Sequence, residues 1–278
     1  AIVAVISVAV FISRDKWIAL SAVCSVVISW LMFTPMNYSF AFWDSDDIVL
    51  EDESIYNYLQ VTENENRIAL STNVAFGVQS IKMKSGNMTG MYYDYALAAP
   101  LMAENAQDVL ILGLGTGTFA EQCLEYFPGC NVTGVEIDEK IVNISREYFD
   151  LPEEVNAVVG DGRAWLTASE DSYDVIMVDA YQDITIPFQM SSVEFFTEVY
   201  EHLKPGGVMV VNMSMRSESE GSMNEYLMDT IKSVFPCAWT VRVSGGTNLE
   251  LFATADEDAL ARFEERRSEV PDEYAAIM

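Results

Sequence analysis

The chain has 278 residues, 50% of them hydrophobic, enough for one large α/β core and a small accessory element rather than several independent domains. With 43 acidic residues against 15 basic ones, the formal charge is -28, which excludes nucleic acid as a partner because too little positive charge is available to neutralise phosphates. The same acidity fits either attraction of cationic ligands or a solubility adaptation of the whole surface, and does not choose between them.

Residues 1–12 are apolar but too short to cross a bilayer, whereas residues 17–33 carry no charge and reach the lower limit of a transmembrane helix. Trp17, Trp30 and Trp43 suit an interfacial belt. The chain begins with Ala, and its first apolar run looks cut off. Residues 1–43 are therefore expected to be a membrane anchor, the truncated end of a polytopic region that continues upstream. A cleaved secretory signal fits poorly, because two apolar stretches flank Ser13-Arg-Asp-Lys16; a buried core hairpin is the alternative. Residues 44–54 read as an acidic connector and residues 55 to about 84 as a small β element with Asn and Gly turns, together filling 44–90.

From 91 to 278 the pattern changes to that of a larger domain. A helix is expected from Tyr92 to Met102. Strands near 109, 132, 157, 174 and 208 then alternate with helices near 118, 139, 163, 192 and 223, the βαβ rhythm of a doubly wound parallel sheet. Residues 239–243 and 249–254 read as a closing antiparallel pair, and residues 256–278 as a charged helix broken by Pro271.

The first strand of that series, Asp108-Val-Leu-Ile-Leu, runs into Gly113-Leu-Gly115-Thr116-Gly117-Thr118, where glycines let the backbone turn tightly and approach a ligand. The next strand ends at Glu136, where a carboxylate can accept from both ribose hydroxyls. NAD and S-adenosyl cofactors share this geometry, but Thr118 at the sixth position of the turn departs from G-x-G-x-x-G and leans away from a dinucleotide. Two further strands close on acids, one at Asp161-Gly162 and one at Asp179. Ligands of open parallel sheets lie outside the carboxyl ends of the strands, so these residues are expected to converge on one crevice. Each acid also has a plain reading as a helix cap.

Other chemistries find little support. None of the four cysteines, Cys24, Cys123, Cys130 and Cys237, forms a C-x-x-C or Cys/His cluster, so buried free thiols are expected and no metal. The single histidine, His202, lies late in a helix and reads as structural. A Ser-His-Asp hydrolase would need a G-x-S-x-G elbow, which is missing.

From about residue 54 to about 255 the sequence resembles the spermidine synthase family of aminopropyltransferases, in particular its membrane-fused branch. The stretch Ser54-Ile-Tyr-Asn-Tyr-Leu-Gln-Val is similar to the family's first hairpin strand, and Val78-Gln79-Ser to its Gln-bearing, cofactor-contacting strand. The segment from Met91 through Tyr92-Tyr93-Asp94 to Pro100-Leu resembles its Tyr-[His/Gln]-Glu helix, and residues 113–118 its glycine turn. Glu136-Ile-Asp138 resembles the ribose-binding Glu-Ile-Asp, Asp161-Gly162 the adenine-side Asp-Gly, and Asp179 the first Asp of the catalytic loop. The resemblance implies a Rossmann-like, S-adenosylmethionine-dependent transferase fold preceded by a small β element and an amino-terminal transmembrane segment.

Two departures bear on the chemistry. Thr116 stands where the family carries an Asp that the resemblance assigns to the ammonium of decarboxylated S-adenosylmethionine, and Gln182 stands where it carries a second catalytic-loop Asp, with Asp183 one residue on. A neutral Thr offers no charge-assisted hydrogen bond to a buried ammonium, so the expected cofactor is decarboxylated S-adenosylmethionine or S-adenosylmethionine itself. The expected function is aminopropyl transfer to a polyamine. Methyl transfer, or a non-catalytic module that binds nucleoside or polyamine, are the alternatives.

In this scheme Asp179 binds the cationic amine and accepts its proton, while Gln79, Gly113, Gly115, Thr116, Gly117, Glu136, Asp161 and Gly162 hold the cofactor. Tyr92, Tyr93, Tyr181, Gln182 and Asp183 are the candidates for the acceptor side, with aromatic faces near cationic groups. Packing alone is the other reading of Tyr92 and Tyr93. Expected partners are a small-molecule polyamine or amine, the membrane, and a second copy in a homodimer. Arg14 and Lys16 between the apolar stretches would be cytoplasmic by the positive-inside rule, placing the large domain outside, whereas the resemblance implies a cytoplasmic domain. The expected location is a multi-pass membrane protein with the transferase domain in the cytoplasm.

Overall fold

The structure is a computed structural model and describes residues 23–30, 47–73, 78–86, 88–180, 186–214, 221–245, 248–268, 270 and 274. The chain divides into two compact units, residues 1–45 and residues 46–278.

In the first unit residues 23–30 form a helix with mostly exposed side chains. Among the described residues no helix is long and apolar enough to cross a membrane. This corrects the expected transmembrane segment and the multi-pass location drawn from it; the remainder of residues 1–43 lies outside the described residues.

The second unit opens with a four-stranded antiparallel meander, β1 (Ile48–Glu53), β2 (Tyr58–Glu63), β3 (Arg67–Thr72) and β4 (Val78–Met83), paired in that order. The expected connector thus contains a strand. Ile48-Val-Leu supplies the apolar start, and Glu51, Asp52 and Glu53 put charge on an open edge, where it discourages further pairing. Asn64 shapes the β2–β3 turn by accepting from the N–H groups of Asn66 and Arg67. Leu59, Val61 and Leu70 bury one face of the meander against Ile141, Ile144 and Phe149.

The larger sheet has seven strands: β5 (Asp108–Leu112), β6 (Asn131–Glu136), β7 (Asn156–Val159), β8 (Tyr173–Val178), β9 (Leu203–Ser214), β10 (Cys237–Arg242) and β11 (Asn248–Thr254). Their order is β10-β11-β9-β8-β5-β6-β7, with β5 to β9 parallel and β11 inserted antiparallel between β9 and β10. The sheet is Rossmann-like, and its strand order reverses at β5, which has β6 on one side and β8 on the other. Apolar runs without alternation mark strands covered on both faces, as β5 and β8 are. Val109, Ile111, Val175, Met177, Val210 and Phe252 face α1 (Tyr92–Ala96), α2 (Ala98–Met102), α3 (Thr118–Tyr126) and α8 (Ala259–Arg266). Leu110, Leu112, Ile176, Val178 and Val211 face α5 (Gly162–Ala168), α6 (Val193–Glu201) and α7 (Met223–Lys232). Between the two sheets lies α4 (Glu139–Tyr148), which contacts β6 and β7 and carries the apolar face that the meander covers.

Local chemistry sets several helix ends. Asp138, Asp161, Ser192 and Ser222 cap α4, α5, α6 and α7 by accepting a backbone N–H with their side chains. The single helix expected over residues 92–102 is two short ones meeting at Leu97. Pro100 has no N–H to give the carbonyl of Ala96, so the ladder breaks there. His202 ends α6 with its ring nitrogens against the carbonyls of Glu198 and Ser169, a structural position. Cys123 and Cys130 are buried, but Cys24 is exposed and Cys237 half-buried, so burial holds for only two of the four free thiols.

Candidate active site

At the carboxyl ends of β5, β6 and β8 a cavity opens, lined by Gln79, Tyr92, Tyr93, Gly113, Gly115, Glu136, Asp161, Gly162 and Asp179. The meander contributes Tyr56, Asn57 and Thr72 as well. It is held there through Asp138, which accepts from Ser54 at 2.5 Å and from the Asn57 amide at 3.1 Å while capping α4. Asp138 therefore joins the meander to the sheet and does not line the cavity.

Gly113 has φ +96°, and a Cβ there would lie 2.4 Å from the carbonyl oxygen of Asp179. Only glycine lets the turn leave β5 this close to the end of β8. Glu136 is buried; one carboxyl oxygen accepts the Gly115 N–H at 2.9 Å and the other the Asp138 N–H at 3.1 Å. Burial pushes its pKa up, and these two donors work against the shift. Each oxygen keeps a lone pair for a ligand hydroxyl. Asp161 is exposed, with Oδ1 committed to the Ala164 N–H at 2.9 Å and the rest of the carboxylate at the cavity wall. Thr116 is buried, 3.4 Å from the Thr118 hydroxyl, and neither it nor Gly117 lines the cavity.

Asp179, at the end of β8, is partly open to the cavity. Tyr92 donates to its Oδ2 at 2.5 Å and the Asn212 amide to its Oδ1 at 2.8 Å. Desolvation nevertheless raises its pKa to about 7, with nearby Glu136 adding to the shift. Burial first and Asp179 second hold the Tyr92 phenol far above its ordinary range, so Tyr92 stays a donor. The Tyr93 hydroxyl accepts the Ile81 N–H at 2.9 Å, which ties α1 to β4. Tyr181, Gln182 and Asp183 lie outside the described residues.

Three residues near Asp179 escaped the sequence reading. Asn212 and Glu250 face each other across β9 and β11, and Asn248 donates to Asn212 at 2.7 Å. Glu250 is fully buried with no hydrogen-bond partner for either carboxyl oxygen, and burial followed by repulsion from Asp179 pushes its pKa well up. The available signal was a lone polar residue inside an apolar strand, in Val-Val-Asn212-Met and in Leu-Glu250-Leu-Phe.

The family described as "Spermine/spermidine synthase domain" matches residues 91–246. A probable polyamine aminopropyl transferase of Bifidobacterium longum (strain NCC 2705) is 57% identical over 246 residues, which cover 87% of this chain and 55% of that protein. The chain therefore spans about half the length of this curated relative. The spermidine synthase of Thermotoga maritima matches the fold with a TM-score of 0.68 at 17% identity, covering 83% of this chain and 84% of the other. A spermidine synthase in complex with the transition state analogue AdoDATO matches at 0.69 and 18%, with the same coverage.

Proposed function

The chain belongs to the spermine/spermidine synthase family, and on that premise we propose that it transfers an aminopropyl group from decarboxylated S-adenosylmethionine to a polyamine. The observation that carries this reading is Asp179, a carboxyl at the cavity wall that two neutral donors orient and that no cation neutralises among the described residues. Such a group has the geometry to bind an ammonium and then take its proton. A relative named as a probable polyamine aminopropyl transferase and a neighbour holding AdoDATO support the same reaction class.

The residues of the cavity fit the nucleoside sulfonium. The two Glu136 oxygens suit the ribose hydroxyls, the turn from Gly113 to Gly117 brings backbone close to the sulfonium end, and Asp161, Gly162 and Gln79 suit the adenine side and chain. When bound, the sulfonium supplies the leaving group: its carbon–sulfur bond breaks with the electron pair staying on sulfur, leaving methylthioadenosine. Asp179 orients the acceptor amine and takes its proton as the new carbon–nitrogen bond forms. Tyr92 and Asn212 hold one Asp179 oxygen each, so the carboxylate need not reorient during the step.

Nothing in the geometry favours methyl transfer or binding without turnover. The case for methyl transfer rested on Thr116, whose side chain does not line the cavity. The test is product analysis after incubation with putrescine and either decarboxylated S-adenosylmethionine or S-adenosylmethionine. Methylthioadenosine and aminopropylated amine in equal amounts are expected from the first. S-adenosylhomocysteine with methylated amine from the second, and no product from the first, would overturn the proposal.

A further inference from the structure

The strand that brings Gln79 to the cavity is held differently on its two sides. On the inner side β4 pairs with β3, but the register shifts within that pairing: Val78 lies opposite Ser71 and Ser80 opposite Leu70, so Gln79 is an extra residue without a partner on β3. A residue extruded from a ladder in this way is re-aimed, and the ladder itself does not fix its direction. On the outer side β4 is the last strand of the meander, and among the described residues no further strand pairs with it. Its edge groups therefore need partners from elsewhere.

Ile81 finds them on α1 and α3. The Tyr93 hydroxyl accepts the Ile81 N–H at 2.9 Å and lies 3.4 Å from the Ile81 carbonyl, to which Thr118 Oγ1 donates at 3.1 Å. Thr118 does not spend its hydroxyl on its own helix, whose N-cap is Gly117. With that proton committed to Ile81, Thr116 is the donor of the Thr116–Thr118 pair, 3.4 Å apart. Gly115 lies against the same strand, since a Cβ there would come within 3.3 Å of Ser80 Oγ. The glycine turn and β4 are thus packed together, and Gln79, Ser80, Gly115 and Thr118 all line the cavity.

We propose that Thr118 and Tyr93 are positioning residues that clamp the Ile81 peptide groups and so fix the extruded Gln79 against the nucleoside. The clamp, two residues beyond Gln79, supplies the constraint that pairing with β3 does not. It gives a use to two departures in the sequence. Thr118 occupies the sixth position of the turn, where a dinucleotide site has glycine, and only a side chain with a donor can reach across to a carbonyl of β4. Tyr93 stands where the family's Tyr-[His/Gln]-Glu helix carries His or Gln, and its hydroxyl is turned to the strand.

This inference rests on the nucleoside reading of the cavity given above, and its test separates the two. Calorimetry on the full chain measures the Kd of methylthioadenosine, and nuclear magnetic resonance the exchange of the Ile81 amide hydrogen. Thr118→Val removes the hydroxyl and keeps the shape; it should weaken binding roughly fivefold, as should Tyr93→Phe, within the net range of one hydrogen bond. Thr118→Ser keeps the donor and should bind as wild type does. Tyr93→Phe should also speed exchange at Ile81, whose N–H loses its acceptor. In a Gln79→Ala background neither Thr118→Val nor Tyr93→Phe should weaken binding further, because a clamp that acts through Gln79 has nothing left to position. Should Thr118→Val fail to fold, Tyr93→Phe carries the same cycle. Losses of equal size in both backgrounds, wild-type affinity in both single variants, or a Thr118→Ser as weak as Thr118→Val would overturn the inference and leave the nucleoside site standing. A wild-type chain that binds no methylthioadenosine would overturn the nucleoside reading itself, and the inference with it.

Discussion

The two ends of β8 carry the same residue type in opposite electrostatic settings. Asp174, at the amino end, is 3% exposed and has Lys204 at 3.0 Å, the Asp108 N–H at 2.9 Å and the Gln107 N–H at 3.1 Å. Asp179, at the carboxyl end, has among the described residues only the neutral donors Tyr92 and Asn212, with the acidic Glu136 and Glu250 nearby. A buried carboxylate satisfied by a cation and backbone donors ties strands and helices together. One held by neutral groups in acidic company is destabilised until something positive arrives. The fold therefore completes its charges at the bottom of the sheet and leaves them incomplete at the top, where a cationic amine can complete them.

Removing each carboxylate should separate these roles. Asp179→Asn should lower kcat/KM for aminopropyl transfer by about a thousandfold, within the range for a lost general base, with no loss of folded protein at pH 8. Steady-state kinetics beside a chemical denaturation curve reads both. The pH dependence of stability gives the next largest effect. The folded-state pKa of Asp179 is raised from 3.8 to about 7, so the folded chain holds a proton that the unfolded chain has released, and stability should fall as pH rises between these values. The shift corresponds to at most about 4 kcal/mol. Asp179→Asn should flatten that part of the curve in urea titrations at successive pH values.

Asp174→Asn should cost about 3 kcal/mol by leaving Lys204 with a weaker partner, while the folded fraction keeps its kcat/KM. Its denaturation midpoint measures the loss. Glu136→Ala should weaken methylthioadenosine binding by about 2 kcal/mol, because two ribose hydroxyls lose a charged acceptor. Calorimetric titration checks it, and unchanged affinity would remove Glu136 from the ribose site.

What was legible in the sequence is local. Strand length, glycine punctuation and an acid after each apolar run are short-range patterns, and they located β5, β6, β7 and β8 together with Glu136, Asp161 and Asp179. The carboxylate of Asp161 caps α5, its plain reading, and also lines the cavity. What was illegible depends on long-range pairing. Asn212 meets Asp179 because β9 pairs with β8, and Asn248 and Glu250 join Asn212 because β11 pairs with β9; no spacing along the chain signals either register. Asp94 is a further acid in the segment that resembles the family's Tyr-[His/Gln]-Glu helix, but Thr89, Gly90 and Gln122 all donate to it, and it does not line the cavity. The expected membrane span found no support, because among the described residues no helix is long and apolar enough to cross a membrane.

The central claim is that, among the described residues, the top of the sheet lacks a positive charge, and that the proposed acceptor amine supplies it. It is tested most directly by the rise in melting temperature that putrescine causes in the presence of methylthioadenosine at pH 8, compared among wild type, Asp174→Asn and Asp179→Asn. A ligand bound only by the folded state stabilises it by an amount that grows with the logarithm of its concentration relative to its Kd, so the rise reports binding directly. Wild type and Asp174→Asn are predicted to show the same rise, and Asp179→Asn little or none. An equal rise in all three would mean that the amine is held without the Asp179 charge, and would contradict the account.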